Sequence, residues 1–238
     1  MKKVQQHYDE IADVYDERYD GRRGRCYHGH IRDHVMRNLP KGGFLLDVGC
    51  GTGLFVQRYV EEGGRAVGLD VSPGMVRHGR GRCPDCGFCV GTADALPFED
   101  GSFDALASLL AFSYIFDPEA TLRECYRVLA PGGRIAVCTL SRTIFTSIVP
   151  FVYRMSERIG LRGVGMGDFD EHYYTNAEMA RLFRDAGFED VTISRCSFAH
   201  LTLVEPIFTL ARKVEPFIEK RLPYLAYNVC ASGKKPEN

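Results

Sequence analysis

Between residues 44 and 140 short apolar runs alternate with capped, amphipathic segments, and that alternation leaves few folds open. Phe44 to Val48 is an apolar run closed by Gly49, as a buried strand is, and Leu54 to Glu62 follows with helical character. Arg65 to Val71 is a second strand signal ending on Asp70; Ser72 then supplies an N-cap and Pro73 a first helical position. Phe88 to Ala93 and Phe103 to Leu110 read as the third and fourth strands. Asp117-Pro118 opens a helix in which Leu122, Cys125, Tyr126 and Leu129 recur at i, i+3, i+4 and i+7; Pro131-Gly132-Gly133 closes it, and Arg134 to Leu140 is the fifth strand. Repetition of this kind gives a parallel, doubly wound α/β sheet with helices on both faces. Ligands of such sheets sit beyond the carboxyl ends of the strands.

After Leu140 the rhythm breaks. Ser141 to Asp170 combines an apolar stretch with glycines at 160, 163, 165 and 167 and has no clean period, so residues 141–174 read as an insertion or lid. Thr175-x-x-Glu178 then reads as a capping box, with Met179, Leu182, Phe183 and Ala186 on one helix face and Gly187 at its end. Val191 to Phe198 is a sixth strand, and Leu225 to Ser232 the last, expected antiparallel in the sheet interior. Between them, residues 204–222 place Ile207, Leu210, Ala211, Val214, Phe217 and Ile218 on one helix side and Arg212, Lys213, Glu215, Glu219 and Lys220 opposite; Pro216 is expected to kink or split that helix. The organisation expected is an N-terminal helical cap over 1–37, a binding core over 38–140, the lid, and a completion of the sheet over 175–238 with a helical insertion at about 198–224.

Charge narrows the partners. Thirty basic and 31 acidic residues give a formal charge of −1, without the basic excess of a nucleic-acid binder, and Arg77, Arg80 and Arg82 are the strongest candidate for a local basic patch. Met1 to Glu10 has no signal-peptide core and Ile144 to Tyr153 is too short to span a bilayer, so a cytoplasmic protein is expected. Nine cysteines, with Cys50, Cys125, Cys138 and Cys230 in apolar stretches, fit reduced thiols in that compartment.

The stretch "LLDVGCGTG" at 45–53 carries the chemistry. Its glycines are spaced G-x-G-x-G; a dinucleotide fingerprint needs a third glycine at 54, which is Leu54. Asp47, just before the loop, would also repel a pyrophosphate and suits a cationic ligand. S-adenosylmethionine, with its ammonium and sulfonium, fits bare glycine backbone and leaves a helix N-terminus for its carboxylate. Asp70, 17 residues past Gly53 at the end of the second strand, can accept from both ribose hydroxyls, and Asp94 from the adenine amino group.

Together with "VGLDVS", "GTADALPFEDGSFDAL" and "LRECYRVLAPGGRIAV", this stretch resembles the motif series of class I S-adenosylmethionine-dependent methyltransferases. The resemblance is to the small-molecule branch that includes the ubiquinone and menaquinone biosynthesis enzymes, and "YDEIADVYDERY" at 8–19 is similar to the N-terminal helix with which that branch covers the cofactor. It implies a seven-stranded Rossmann-like sheet and cofactor contact by Asp47, Gly49, Gly51, Asp70 and Asp94. The wider set expected around the cofactor adds Tyr15, on the helix of Ile11 and Val14, with Cys50, Thr52, Gly53, Val71, Met75, Ala93 and Ala95. Where many relatives have a histidine pair before the aspartate-proline, this chain has Ser113-Tyr114.

The remaining candidates are weighed on local chemistry. Cys83, Cys86 and Cys89 have metal-like spacing without a fourth ligand nearby, so no metal is expected; loop or buried thiols are the plainer reading. His28, His30 and His34 read as a partly exposed helix face. A sulfonium leaves readily, so the protein's task is in-line positioning, exclusion of water and, for some acceptors, removal of a proton. His172 and Tyr173, with Ser113 and Tyr114 facing them, are the candidates for orienting or deprotonating the acceptor. Apolar residues in the two insertions, Ile144, Phe145, Ile148, Val149, Phe151 and Val152 in one and Ile207, Phe208, Leu210, Val214 and Phe217 in the other, suggest a small apolar, quinone- or lipid-like acceptor. The same stretches suit mutual packing, a homodimer contact or a peripheral lipid contact. RNA methylation on the same fold and a non-catalytic binding module are the alternatives.

Overall fold

The computed structural model describes residues 2–143 and 171–237. Among the described residues seven strands form one sheet: β1 (Phe44–Val48), β2 (Arg65–Asp70), β3 (Gly87–Val90), β4 (Phe103–Leu109), β5 (Leu129–Leu140), β6 (Glu189–Cys196) and β7 (Asn228–Lys234), in the order β3-β2-β1-β4-β5-β7-β6. Pairing is parallel from β3 to β5, and β7 runs antiparallel between β5 and β6. The strand order reverses beside β1, so its carboxyl end opens the crevice where a ligand of this fold is held.

The helices start where the sequence places caps. Ser72 Oγ accepts from Met75 N ahead of α5 (Pro73–Arg82), and an Asp117 oxygen accepts from Ala120 N ahead of α6 (Pro118–Val128). Thr175 and Glu178 form the full capping box of α7 (Asn176–Asp185). α4 (Leu54–Glu61) instead follows Gly53 in the left-handed region, φ 79°, where a Cβ would meet the Phe88 ring at 2.8 Å. The fifth strand begins earlier than expected: Leu129 already pairs with Phe103, and the Pro131-Gly132-Gly133 turn is absorbed as an irregularity before Arg134 pairs with Ala105.

Two apolar clusters sandwich the sheet. One face packs Leu46, Leu106, Leu122, Val128, Ile135 and Phe183; the other packs Leu45, Phe55, Val56, Tyr59 and Ala136 with Tyr27, Ile31 and Val35 of α3 (Arg22–Met36). α3 is therefore part of the core. It is α1 (Lys2–Ile11) and α2 (Glu17–Asp20), with the turn between them, that approach the ligand end of the sheet. Tyr15 lies in that turn and not on a helix with Ile11 and Val14. Side chains fasten the segment down: Asp9 Oδ1 accepts from Ser72 Oγ (2.5 Å) and Gly74 N (2.9 Å), and Asp16 Oδ1 accepts from Thr52 Oγ1 (2.6 Å) while Oδ2 meets Arg82.

α8 (Ile207–Arg221) differs from the expectation in two ways. It runs unbroken through Pro216, whose missing N–H costs about 3 kcal/mol in a free helix, because burial of Phe208, Ala211 and Ile218 holds both halves in line. Its orientation is also rotated. Glu215, expected on the polar side, is 2% exposed and accepts from Ala199 N (3.0 Å) and Arg212, whereas Ile207, Leu210, Val214 and Phe217 face solvent. Once its carboxylate is hydrogen-bonded, a glutamate ranks with the buried positions.

Several thiol and charge expectations are revised. Cys83 and Cys86 form a disulfide, with Cα atoms 5.3 Å apart, so these two are not the reduced thiols expected and cannot serve as metal ligands while joined. Cys89, on β3, donates to Gly68 O (3.8 Å). The three arginines expected to form a patch are engaged within the chain: Arg77 with Asp13, Arg80 with Phe88 O and Arg82 with Thr52 O. His28, His30 and His34 all sit on α3; burial pushes His28 down to about 4, and His30 pairs with Glu219 at 2.7 Å. Residues 144–170 of the expected lid, with the apolar residues from Ile144 to Val152 that suggest an apolar acceptor, lie outside the described residues. No helix among the described residues is long and apolar enough to cross a membrane.

Candidate cofactor and acceptor site

A cavity opens at the carboxyl ends of β1, β2, β3 and β4. Its floor is the loop after β1. Gly49 (φ 76°) and Gly51 (φ 52°) both take left-handed backbone, and a Cβ on Gly49 would stand 2.2 Å from the Ala111 methyl. The missing side chains let a ligand lie on the backbone itself. One wall is Asp70, Val71 and Met75; the next is Gly91, Thr92, Ala93 and Asp94. The third comes from Leu109 to Ala111, Tyr114 to Asp117, and Thr121. Val4, Tyr8 and Tyr15 form the roof, Tyr15 placed so that a Gly51 Cβ would be 3.9 Å from its ring.

Asp70 is fixed before any ligand arrives. Its Oδ2 accepts from Gly51 N (2.8 Å) and its Oδ1 from Ser72 N (2.9 Å), so each oxygen has a lone-pair direction left over. Burial pushes its carboxyl up from the ordinary aspartate range, and the N–H bonds oppose that shift. Asp47 is set deeper. It is 2% exposed, its Oδ1 has no partner, and burial together with the neighbouring Asp70 pushes its carboxyl up to about 8. A buried carboxylate oxygen left unpaired beside a second carboxylate is a strong electrostatic reason for a positive group to bind here.

The site divides the expected residues. Tyr15, Gly49, Gly51, Asp70, Val71, Met75, Ala93 and Asp94 line the cavity. Asp47 stands behind the lining, Cys50 packs into the core around Phe88, and Thr52 spends its hydroxyl on Asp16. Gly53 serves the start of α4, and Ala95 is exposed outside the cavity, its backbone N–H turned to Thr92 O.

Of the residues expected to act on the acceptor, Tyr114 alone lines the cavity. Ser113 is buried, its Oγ 2.6 Å from Thr139 Oγ1 and accepting from Leu140 N. His172 is half-exposed, with its Nε2 3.9 Å from Glu178 and its ring against Tyr174, so closeness in the chain to the lid junction did not bring it to the cavity. Tyr173 donates to Glu171 Oε2 (2.8 Å). Glu171 links Tyr173 to the cavity wall, since its Oε1 accepts from Tyr114 Oη (2.9 Å). Neither Glu171 nor Tyr8, whose ring packs edge-on against Tyr15 (6.0 Å) and Tyr114 (5.8 Å), was singled out from sequence. The seven-residue interval from Tyr8 to Tyr15 in "YDEIADVYDERY" was the available signal.

The raised Asp47 carboxyl yields a prediction with a definite sign. In the ligand-free protein Asp47 is neutral at pH 7, and a bound cation favours its ionised form. Binding therefore releases a proton, and affinity for S-adenosylmethionine rises with pH by up to about tenfold per unit until about pH 8. For the ligand-free protein, the unfolded carboxyl loses its proton near 3.8 and the folded one only near 8, so stability falls as pH rises across that window. Calorimetry in two buffers of different ionisation heat measures the proton; Asp47→Asn should abolish it. A pH-independent affinity would show that Asp47 does not sense the ligand's charge.

Comparison with known proteins agrees with this geometry. A methyltransferase-domain family model matches residues 46–137. A demethylmenaquinone methyltransferase of Renibacterium salmoninarum is 32% identical over 204 residues, covering 77% of this chain and 86% of the relative. A malonyl-[acyl-carrier protein] O-methyltransferase of Erwinia pyrifoliae is 37% identical over 130 residues, 51% of this chain and 49% of that protein. Among solved structures, a Thermotoga maritima S-adenosylmethionine-dependent methyltransferase superposes with a TM-score of 0.73 over 98% of this chain and 99% of its own, at 22% identity. With its seven-stranded sheet, glycine floor and two strand-end carboxylates, the chain belongs to the class I S-adenosylmethionine-dependent methyltransferases and resembles the menaquinone biosynthesis enzymes among them.

Proposed function

We propose that this enzyme transfers the methyl group of S-adenosylmethionine to a small acceptor with an apolar, quinone-like ring. The observation that carries the acceptor class is the mouth of the cavity, where Phe116 is 86% exposed next to Ile115, Tyr114 and Tyr8. An aromatic side chain left in water at a cavity mouth gains by covering an apolar ring. The relative that this chain covers over 86% of its length is named for a quinone substrate, which supports the same class.

In this reading Gly49 and Gly51 present backbone to the cofactor, Asp70 accepts from the ribose hydroxyls, Asp94 from the adenine amino group, and Asp47 stabilises the ammonium. When bound, S-adenosylmethionine supplies a methyl group already activated on a sulfonium. The chain's own residues then have three tasks. Tyr8 and Tyr15 cover the loop and exclude water. Tyr114, Ile115 and Phe116 hold the acceptor ring in line. Tyr114 Oη, held by Glu171, is a polar group on that wall that can orient an acceptor hydroxyl and pass its proton toward the carboxylate.

Substrate kinetics with a reduced naphthoquinone test the acceptor wall. Tyr114→Leu and Phe116→Ala should each raise its KM by about tenfold, the range expected for losing one aromatic contact of 1–1.5 kcal/mol. Affinity for S-adenosylmethionine should stay within about threefold in Phe116→Ala. An unchanged KM in both variants would remove the acceptor from this mouth.

A further inference from the structure

Six of the nine large hydrophobic side chains exposed among the described residues lie between 204 and 224. On α8, Ile207 (54% exposed), Leu210 (64%), Val214 and Phe217 (61%) fall within an arc of about 80° at 3.6 residues per turn. Val204 continues the stripe ahead of the helix and Tyr224 beyond it. None of these residues lines the methyl-transfer cavity, so the stripe has no part in the site described above.

The charges on the helix are segregated with the same phase. Its two acids point inward: Glu215 accepts from Ala199 N, and Glu219 accepts from Ser197 N (2.8 Å) and pairs with His30 (2.7 Å). Lys213 and Lys220 border the apolar stripe and Arg221 ends it; all three are exposed, and none has an ion pair among the described residues. At the start of the helix Arg22, on α3, is held against Glu205 and Thr209, an ion pair that leaves no net charge at that end of the stripe. The outward arc thus carries aliphatic and aromatic side chains edged by cations, with every acid of the helix turned away.

We propose that this face of α8 docks on an anionic lipid surface, lying in the plane of the interface with the stripe in the acyl boundary and Lys213, Lys220 and Arg221 among the headgroups. An apolar strip with a basic edge is the pattern by which interfacial helices bind. A protein partner would match the apolar strip equally well; the exclusion of both acids from the outward arc is what favours an anionic surface. The carboxylates tied to His30, Ser197 and Ala199 anchor the opposite face, so the helix is presented as a fixed rib. The inference rests on the surface alone and holds whatever the methyl acceptor is.

The test is co-sedimentation of the full chain with vesicles of phosphatidylglycerol and phosphatidylcholine, and with vesicles of phosphatidylcholine alone. Binding to the anionic vesicles is expected, and it weakens as salt is raised. Lys213→Glu with Lys220→Glu should reduce it by roughly fivefold or more per residue, and Leu210→Asp with Phe217→Asp should abolish it. All four positions are solvent-exposed, so thermal unfolding and S-adenosylmethionine affinity should match the parent, which separates loss of docking from loss of fold or of cofactor binding. No binding to anionic vesicles, or binding indifferent to both double variants, overturns the proposal. So does a change from dimer to monomer in Leu210→Asp with Phe217→Asp without an effect on vesicles, which would assign the stripe to a second copy of the chain.

Discussion

Replacing Asp70 with alanine should weaken S-adenosylmethionine binding by about a hundredfold or more. Each charge-assisted hydrogen bond it offers to a ribose hydroxyl contributes on the order of 1.5–3 kcal/mol, and two are lost together. The structure adds a second consequence. Asp70 also accepts the N–H groups of Gly51 and Ser72, so the truncation strips two partly buried donors of their partner. A loss of roughly 2 kcal/mol or more of folding stability is therefore expected alongside the binding defect. Asp70→Asn keeps one acceptor oxygen and should hold the loop better than alanine while still binding poorly. A drop in affinity of less than threefold in Asp70→Ala would remove Asp70 from the proposed ribose contact.

Gly49→Ala should be the most destabilising single-methyl change on the cavity floor. The residue takes φ 76°, and its new Cβ would stand 2.2 Å from Ala111 Cβ. Left-handed backbone costs an alanine about 1–2 kcal/mol, and forcing a methyl into filled space typically costs another 1–3 kcal/mol. For a chain of this size the sum, about 2–5 kcal/mol, corresponds to a melting temperature lower by roughly 4–20 °C. Gly63→Ala is the matched control. It shares the left-handed backbone, φ 93°, but a Cβ there meets nothing within 4 Å, so only the backbone share of the loss is expected. Equal melting temperatures for the two variants would show that contact with Ala111 does not constrain the loop.

What the sequence disclosed depended on whether the signal was local. Ser72 with Pro73, Asp117 with Pro118, and Thr175 with Glu178 mark helix starts because a cap is made by residues three apart, and all three are found as expected. The glycine loop and the two aspartates are legible for a related reason: a parallel sheet brings successive strand ends to one side, so Asp70, at the end of β2, and Asp94, four residues beyond a β3 that stops at Val90 and not at Ala93, need no long-range contact to be placed together.

Where placement depended on packing between distant segments, pattern gave out. Pattern does not give the inward face of α8, because two apolar arcs adjoin on that helix and the buried one includes Glu215, whose partner N–H on Ala199 is 16 residues away. His172 has suitable chemistry and follows the expected lid in the chain, but its ring packs on Tyr174 outside the cavity. Glu171 gives no local signal, because its significance comes from Tyr114, which is 57 positions earlier in the chain. The Cys83–Cys86 disulfide could not be told from a pair of free thiols or half of a metal site by spacing alone.

The proposed acceptor class is tested most directly by supplying the enzyme with S-adenosylmethionine labelled in its methyl group, together with cell extract, and separating lipid and apolar small molecules, polar small molecules, and RNA. The label should accumulate in the apolar pool and vanish from it in Asp70→Ala. Label confined to RNA or to polar amines, with none in the apolar pool, would contradict the proposed acceptor.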